Sequence, residues 1–196
     1  MHQDTISYEA FGNLYLNITN RCSAGCIFCI RRFTDGVYGY NLRLSREPSE
    51  EEIIAELETL DLTKYKEVVF TGFGEPTCRF DTLLFLIKWL HQRGIHVRLD
   101  TNGHAALMYP GRDVVTELKA AGLESVSVSL NAESEEVYNR LCRPNFEGAY
   151  RSLLEFTEGA LKAGLQTRMT VVLQSEIDID ECQKIATELG ASFKVR

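Results

Sequence analysis

Short apolar runs with a period of two alternate along the chain with longer segments in which apolar residues recur every three or four positions. The first pattern predicts strands and the second predicts helices. The predicted strands cover residues 14–19, 67–71, 96–100, 125–130, 167–173 and 191–195. The predicted helices cover residues 49–60, which open with a capping box, and then 82–93, 113–121, 135–163 with a break near Pro144, and 179–189.

This order gives six β–α repeats, which indicate parallel strands joined by right-handed crossovers. A complete eightfold barrel needs about 250 residues. The 196 residues of this chain therefore favour a shortened α/β barrel of six mainly parallel strands with outer helices over a flat doubly wound sheet. We expect a single core domain over residues 1–196. The one long irregular connection, residues 30–48, is a candidate site of function.

Each predicted strand has an apolar face and a polar face, because successive residues of a strand point in opposite directions. The polar face of the third strand holds Arg98 and Asp100, and that of the fifth holds Arg168. We expect this face to line the barrel interior; the alternative is an open sheet whose polar face meets water. A buried guanidinium needs a partner. Either Asp100, Glu67 or another acid pairs with the two arginines, or one arginine binds a carboxylate or phosphate of a substrate.

Composition narrows the class of protein. Hydrophobic residues make up 44% and charged residues 25% of the chain, which are globular values and exclude long disorder. The net charge of -7 argues against non-specific binding to nucleic acid or an anionic membrane, since both need a positive field. No apolar stretch reaches the length of a membrane span, and the N-terminus lacks the pattern of a signal peptide. We therefore expect a cytoplasmic protein with no membrane partner.

The strongest chemical signal is the spacing C-x3-C-x2-C of Cys22, Cys26 and Cys29, directly after the first predicted strand. Thiolates are soft ligands that select zinc, copper or iron–sulfur clusters. A structural zinc site uses four ligands, whereas three thiolates on a four-iron cluster leave one iron open for a small molecule. A zinc loop with a distant fourth ligand and unligated thiols are the alternatives. We expect no second cluster from Cys78, Cys142 and Cys182, and we expect His91 and His104 on the surface or in loops.

With Phe28 before the third cysteine, the motif resembles the signature of radical S-adenosylmethionine (SAM) enzymes. The segment TGFGEPT at residues 71–77 is similar to the glycine-rich segment that contacts the methionyl amino group of SAM in that superfamily. The resemblance implies cluster binding by the three cysteines. It also implies SAM binding by the residues of the glycine-rich segment, which are Gly72, Phe73, Gly74 and Glu75.

Three further strand ends extend the resemblance. Asp100 and Thr101 lie in a stretch that resembles glycyl-radical activating enzymes, where these positions help to place a monovalent cation beside the SAM carboxylate. Ser129 and Asn131 resemble the positions that meet the SAM carboxylate and ribose hydroxyls, and Val172 resembles the apolar position against adenine. Such barrels place their active sites at the carboxyl ends of the strands, where all of these residues are expected.

Over most of the chain the pattern is closest to the small TatD-associated radical SAM proteins. The matching features are the opening LYLNITNRCSAGCIFCIRR, the GYNLRL…EPS linker, GFGEPT, RLDTNG, VSVSLNA and the YNRLCRP stretch. The resemblance implies a [4Fe–4S] cluster and SAM as cofactors. It also implies reductive cleavage of SAM to a 5′-deoxyadenosyl radical that abstracts hydrogen from an unidentified substrate. The implied partners are a ferredoxin or flavodoxin electron donor and a functional link to a TatD-type hydrolase.

Three functions compete beyond this point. The first is an enzyme acting on a small molecule or nucleoside, and the second is a glycyl-radical activase or a peptide-modifying enzyme. The third is a non-catalytic iron–sulfur module for electron transfer or redox sensing, which requires a fourth cluster ligand and no affinity for SAM. A radical methylase is ranked low, because it needs a further C-terminal cysteine.

Overall fold

The computed structural model describes residues 4–196, over which the main strands and helices alternate in the predicted order. The strands are β1 Ser7–Ala10, β2 Asn13–Asn17, β3 Gly36–Val37, β4 Tyr40–Asn41, β5 Val68–Thr71, β6 Val97–Thr101, β7 Ser125–Ser129, β8 Gln166–Val171 and β9 Ser192–Val195. The α-helices are α1 Glu50–Glu58, α2 Phe80–His91, α3 Ala105–Met108, α4 Val114–Ala121, α5 Glu135–Cys142, α6 Ala149–Lys162 and α7 Ile179–Leu189.

Seven strands form one sheet in the order β1-β2-β5-β6-β7-β8-β9. The six strands from β2 to β9 in this sheet are parallel, and β1 pairs antiparallel with β2. Each crossover therefore moves the chain one strand further in the same direction. This is the order of a barrel, because a doubly wound sheet reverses its strand order. The predicted partial α/β barrel of six parallel strands is confirmed.

Four regions differ from the sequence prediction, and two of them are the β3–β4 hairpin and the short helix α3, which were not predicted. Strand β1 was not predicted, because its four residues SYEA lack an apolar run, and it is formed by pairing with β2. The predicted helix 135–163 is two helices, α5 and α6. Pro144 restricts the residue before it to non-helical backbone, and Arg143 has a φ of 46°, so the break is wider than a kink.

The apolar faces of the strands form the core beneath the helices. Leu16, Leu99, Val128 and Val171 have no exposed surface. The interior face is polar and largely buried, since Arg98, Ser125, Ser127 and Thr170 are each at most 8% exposed, which is contrary to the open sheet whose polar face meets water.

Two further observations concern the length of the helices and the long connection 30–48. Within residues 4–196, no helix combines the length and apolar character that a membrane crossing requires. The connection 30–48 contains the small hairpin of β3 and β4.

Candidate functional site at the carboxyl ends of the strands

One cavity of about 410 Å³ lies at the carboxyl ends of the parallel strands. Every residue that the resemblance assigns to the cluster or to SAM lines it, namely Cys22, Cys26, Phe28, Cys29, Gly72, Phe73, Gly74, Glu75, Asp100, Thr101, Ser129, Asn131 and Val172. Residues that the sequence analysis did not single out also line it, among them Arg31, Asn102, Tyr138 and Arg196. A larger groove of about 780 Å³ runs between residues 4–7 and α1, away from the cysteines.

The backbone of the cysteine loop is held by the end of helix α5. The amide of Gly25 donates to the carbonyl oxygens of Cys142 at 3.1 Å and Arg143 at 3.0 Å. The amide of Ile27 donates to the carbonyl oxygen of Leu141 at 2.9 Å. The last carbonyl groups of a helix have no partner within the helix. Here the cysteine loop supplies those partners, so the position of α5 fixes the conformation of the loop.

The three cysteine side chains are half-buried and have different neighbours. Arg31 donates from Nε to Cys29 Sγ at 3.3 Å, which places a positive charge beside this thiol. Burial, with the nearby charge of Glu75, raises the pKa of Cys22 to about 12. A hydrogen bond from the Cys142 thiol lowers the pKa of Cys26.

The donor set fits an iron–sulfur cluster better than a single ion. Among residues 4–196, no three His, Cys, Asp or Glu side chains converge on the position of one metal ion, as a zinc site would require. On a four-iron cluster each thiolate binds a different iron, so the sulfur atoms are spread around the cluster. Three half-buried thiols on the wall of one cavity satisfy that requirement.

The glycine-rich loop after β5 lies directly against the end of β2 and the residues that follow it. At Gly72, φ is 105°, and an added Cβ would lie 2.3 Å from Asn17 Oδ1. At Gly74, an added Cβ would lie 2.3 Å from the carbonyl oxygen of Thr19 and 2.5 Å from that of Arg21. Gly72 is therefore required for the loop to pack against β2, and Gly74 is required for it to pack against residues 19–21, just before the cysteine motif. Asn17 also accepts a hydrogen bond from the amide of Phe73 at 3.2 Å.

The carboxylate of Glu75 is buried and receives four hydrogen bonds. Thr77 donates from its amide at 3.2 Å and its hydroxyl at 2.7 Å, Thr101 donates from its hydroxyl at 2.8 Å, and the amide of Asn102 donates at 2.8 Å. Burial raises the pKa of Glu75, and these hydrogen bonds oppose that shift. The side chain thus joins the carboxyl ends of β5 and β6.

Asn131 joins the next pair of strand ends. Its φ of 56° is left-handed, a conformation that asparagine tolerates better than most residues. Its Oδ1 accepts a hydrogen bond from the amide of Val172 at 3.1 Å. Ser129, the last residue of β7, accepts a hydrogen bond from Arg196 at 3.1 Å.

A buried polar chain lies behind the cysteine loop. His104 lies in the loop between β6 and α3, as expected, but it is fully buried there and is not a surface residue. Its Nδ1 is 3.0 Å from Ser23 Oγ and its Nε2 is 2.7 Å from Tyr138 OH. Asn102 donates to Ser23 Oγ at 2.8 Å. Burial lowers the pKa of His104 to about 4, so the imidazole is neutral at pH 7. No local pattern predicts contacts between residues so far apart in sequence.

The two predicted substrate residues lie outside this cavity. Arg98 pairs with Glu67 at 3.0 Å and with Asp100. Arg168 donates to Ser127 Oγ at 2.8 Å. Both arginines line a second cavity, of about 430 Å³, at the amino ends of the strands. The Arg98 guanidinium also provides a positive charge beside Asp100, where the resemblance implies a monovalent cation.

A family model described as the Radical SAM superfamily matches residues 16–189. The chain is 30% identical over 171 residues to a probable GTP 3′,8-cyclase of Thermococcus kodakarensis, covering 84% of this chain and 50% of that protein. It is 30% identical over 165 residues to Fe-coproporphyrin III synthase of Methanosarcina barkeri, covering 83% of this chain and 38% of that protein. The chain therefore spans half or less of these two relatives.

Solved structures show the same fold. SuiB of Streptococcus suis, solved bound to S-adenosylmethionine, has a TM-score of 0.71 and 18% identity, over 94% of this chain and 40% of SuiB. Methylornithine synthase has a TM-score of 0.65 and 14% identity, over 94% of this chain and 52% of that protein.

Proposed function

Because the chain belongs to the radical SAM superfamily, whose matched relatives are named as enzymes, we propose that the cavity at the carboxyl ends of the strands binds a [4Fe–4S] cluster and SAM. Reductive cleavage of SAM there would supply a 5′-deoxyadenosyl radical that abstracts hydrogen from a substrate. The observation that carries the proposal is the convergence of three thiols and four strand ends on one cavity.

In this proposal Cys22, Cys26 and Cys29 hold the cluster. Arg31 stabilises the thiolate of Cys29, since its Nε already donates to Cys29 Sγ and a hydrogen bond from a charged donor is stronger than a neutral one. Its Nη1 donates to the carbonyl oxygen of Asn20 at 2.7 Å, which fixes the direction of the guanidinium. Phe28 lines the same cavity and excludes water beside the cluster.

For SAM, the backbone carbonyl groups of the loop 72–74 are proposed to accept from the amino group, and Ser129 and Asn131 to contact the carboxylate and the ribose. Val172 supplies an apolar surface for adenine. Glu75 is assigned a positioning role, because its two carboxylate oxygens already receive four hydrogen bonds. It keeps the glycine-rich loop in register with Thr101.

The alternative of a non-catalytic redox module needs a fourth thiolate on the cluster. Cys142 is the cysteine that contacts the site, but its thiol donates a hydrogen bond to Cys26. Cys142 is almost fully buried and does not line the cavity that the other three thiols share, so it is not placed as a fourth ligand in that cavity. The arrangement therefore favours the catalytic function.

Within the superfamily we propose the TatD-associated group, on the motifs described above. The YNRLCRP motif at residues 138–144 has a structural role that supports this choice, since its carbonyl groups hold the cysteine loop. We further propose that the electron donor is a ferredoxin or flavodoxin, because SAM cleavage needs a low-potential electron. A TatD-type hydrolase as a functional partner remains part of the same proposal.

The test is anaerobic reconstitution of the protein with iron and sulfide, followed by reduction and addition of SAM. We expect about four irons per chain and formation of 5′-deoxyadenosine. Iron near eight per chain would contradict a single cluster, and a loaded, reduced protein that leaves SAM intact would contradict the catalytic assignment.

A further inference from the structure

The side chain of Asn102 is held in one orientation on the wall of the cavity with the cysteines. Its Oδ1 accepts a hydrogen bond from the amide of His104 at 3.1 Å. Because that atom accepts, the other terminal atom of the side chain is the nitrogen, which can only donate. The backbone amide of Asn102 donates to the carboxylate of Glu75 at 2.8 Å. The residue is therefore fixed through both its main chain and its side chain.

Both hydrogen atoms on the amide nitrogen of Asn102 have an acceptor. Nδ2 donates to Ser23 Oγ at 2.8 Å and to Cys22 Sγ at 3.9 Å. An amide nitrogen carries two hydrogen atoms, so these two acceptors use both of them. Although Asn102 lines the cavity, its amide nitrogen has no hydrogen left for a ligand there.

The contact between Asn102 and Ser23 is supported by the buried residues behind it. Since Ser23 Oγ accepts from Asn102, its own hydrogen is directed to its other partner, His104 Nδ1, at 3.0 Å. The imidazole is neutral at pH 7, so an accepting Nδ1 leaves the hydrogen on Nε2. Nε2 then donates to Tyr138 OH at 2.7 Å. One direction of donation runs from Asn102 through Ser23 and His104 to Tyr138.

Two of the cysteines receive side-chain hydrogen bonds of different kinds. Cys29 receives one from the charged guanidinium of Arg31, whereas Cys22 receives one from the neutral amide of Asn102. Hydrogen bonds to the sulfur atoms help to set the reduction potential of an iron–sulfur cluster. They stabilise the reduced cluster more than the oxidised one, because the reduced cluster carries more negative charge. An N–H group fixed beside Cys22 would therefore raise the potential.

We propose that Asn102 is a positioning residue that donates a hydrogen bond to the Cys22 thiolate of the cluster and thereby raises the reduction potential of the cluster. Ser23 and His104 keep its amide nitrogen turned toward that sulfur. The inference rests on the proposed function, because it needs the cluster that Cys22 is proposed to hold. It goes beyond that function by assigning control of the potential to a residue outside the cysteine motif and outside the proposed SAM contacts.

The experiment is a redox titration of the reconstituted protein without SAM, followed by the absorbance of the cluster. Asn102→Leu nearly keeps the shape of the side chain and removes the donor. At a fixed applied potential we expect the ratio of reduced to oxidised cluster to be about tenfold smaller in this variant, which corresponds to the loss of about one hydrogen bond. Asn145→Leu is the matched control, because Asn145 is exposed. Its backbone amide, which the substitution keeps, donates to the carbonyl oxygen of Ser23, so its potential should not change.

An unchanged potential in Asn102→Leu would overturn the inference. A loss of SAM affinity at an unchanged potential would also overturn it, since Asn102 would then be a SAM contact. If Asn102→Leu does not retain its cluster, Asn102→Asp keeps the acceptor for His104 and removes the N–H. Its potential should be lower, and a potential equal to or above that of the unmodified protein would contradict the inference. SAM cleavage is assayed separately with dithionite as reductant, so a lowered potential without SAM cleavage would contradict the catalytic function and leave this inference intact.

Discussion

At the amino ends of β5 and β6 the charged side chains of the interior contact one another, whereas at the carboxyl ends the thiols face a cavity. Arg98 holds both Glu67 and Asp100, so that layer is largely satisfied by the protein itself. The polar groups of the carboxyl end, such as Glu75, hold the loops in place and leave Cys22 and Cys29 on the cavity wall. The ion pairs of Arg98 therefore stabilise the sheet, whereas the carboxyl ends present thiols to a cavity that can hold a ligand.

The largest effect is expected at the cysteines. Cys26→Ala should abolish the cluster and all SAM cleavage, because it removes one of three iron ligands. Cys142→Ala is the matched control, since Cys142 contacts Cys26 but is not assigned as a ligand. It should retain about four irons per chain, and iron content with a 5′-deoxyadenosine assay checks both variants. Loss of the cluster in Cys142→Ala as well would make the fourth cysteine a ligand and favour the redox module.

Substitution of Arg98 at the amino end is expected to change the stability of the fold. Arg98→Met leaves two part-buried carboxylates without their cation, so we expect the free energy of unfolding to fall by about 3–5 kcal/mol. Arg112 also pairs with two carboxylates, Asp81 and Glu117, but at the surface. Arg112→Met should therefore cost only about 1 kcal/mol or less. Denaturant unfolding measures both; equal losses would show that the interior pairs contribute no more than surface pairs.

Two glycine substitutions distinguish the cost of backbone strain from the cost of close packing in the glycine-rich loop. Gly72→Ala and Gly94→Ala both place a side chain at positive φ, at 105° and 72°, which costs about 1–2 kcal/mol. Only Gly72 also faces a contact, with Asn17 Oδ1 at 2.3 Å from the added Cβ, and overpacking adds about 1–3 kcal/mol. Gly72→Ala should therefore be the more destabilising in denaturant unfolding and should lower the iron content. Equal behaviour of the two variants would contradict the packing described between this loop and β2.

The smallest effect is a pH dependence at the carboxyl end. The pKa of His104 is about 4 in the folded protein against an ordinary value of about 6.5, so the unfolded chain takes up a proton first as the pH falls. The contribution of neutral His104 to the free energy of unfolding is therefore present above about pH 6.5 and is lost as the pH falls toward 4. Between pH 7 and pH 5 the loss is about 2 kcal/mol. Comparison of His104→Gln with the unmodified protein at both pH values should show a flatter dependence in the variant; identical slopes would mean that His104 is accessible to protons.

Much of the fold follows from the sequence because the strands are strongly periodic. All six parallel strands lie within two residues of their predicted bounds, and the apolar faces form the core. Leu173 departs from this pattern, being 60% exposed beyond the end of β8. Strand β1 escaped prediction because pairing with β2, and not its own pattern, makes it a strand.

The candidate site likewise has residues that the sequence predicts and residues that it does not. Residues at strand ends are predictable from motifs, because parallel strands bring their carboxyl ends to one edge of the sheet. The supporting residues are not: His104 meets Tyr138 and Ser23 only through tertiary packing, and Cys142 reaches Cys26 only because α5 docks on the cysteine loop. The paired acids of Arg98 were among the expected partners, but the lack of an acid at Arg168 is visible only in three dimensions.

The central claim is that one cavity binds the cluster and SAM together, with one iron left open by Cys22, Cys26 and Cys29. Electron paramagnetic resonance of the reduced, reconstituted protein tests this most directly when SAM is added. The account predicts a reduced cluster whose spectrum changes on addition of SAM. A spectrum that SAM leaves unchanged, at a concentration sufficient to saturate binding in a parallel calorimetric titration, would contradict it.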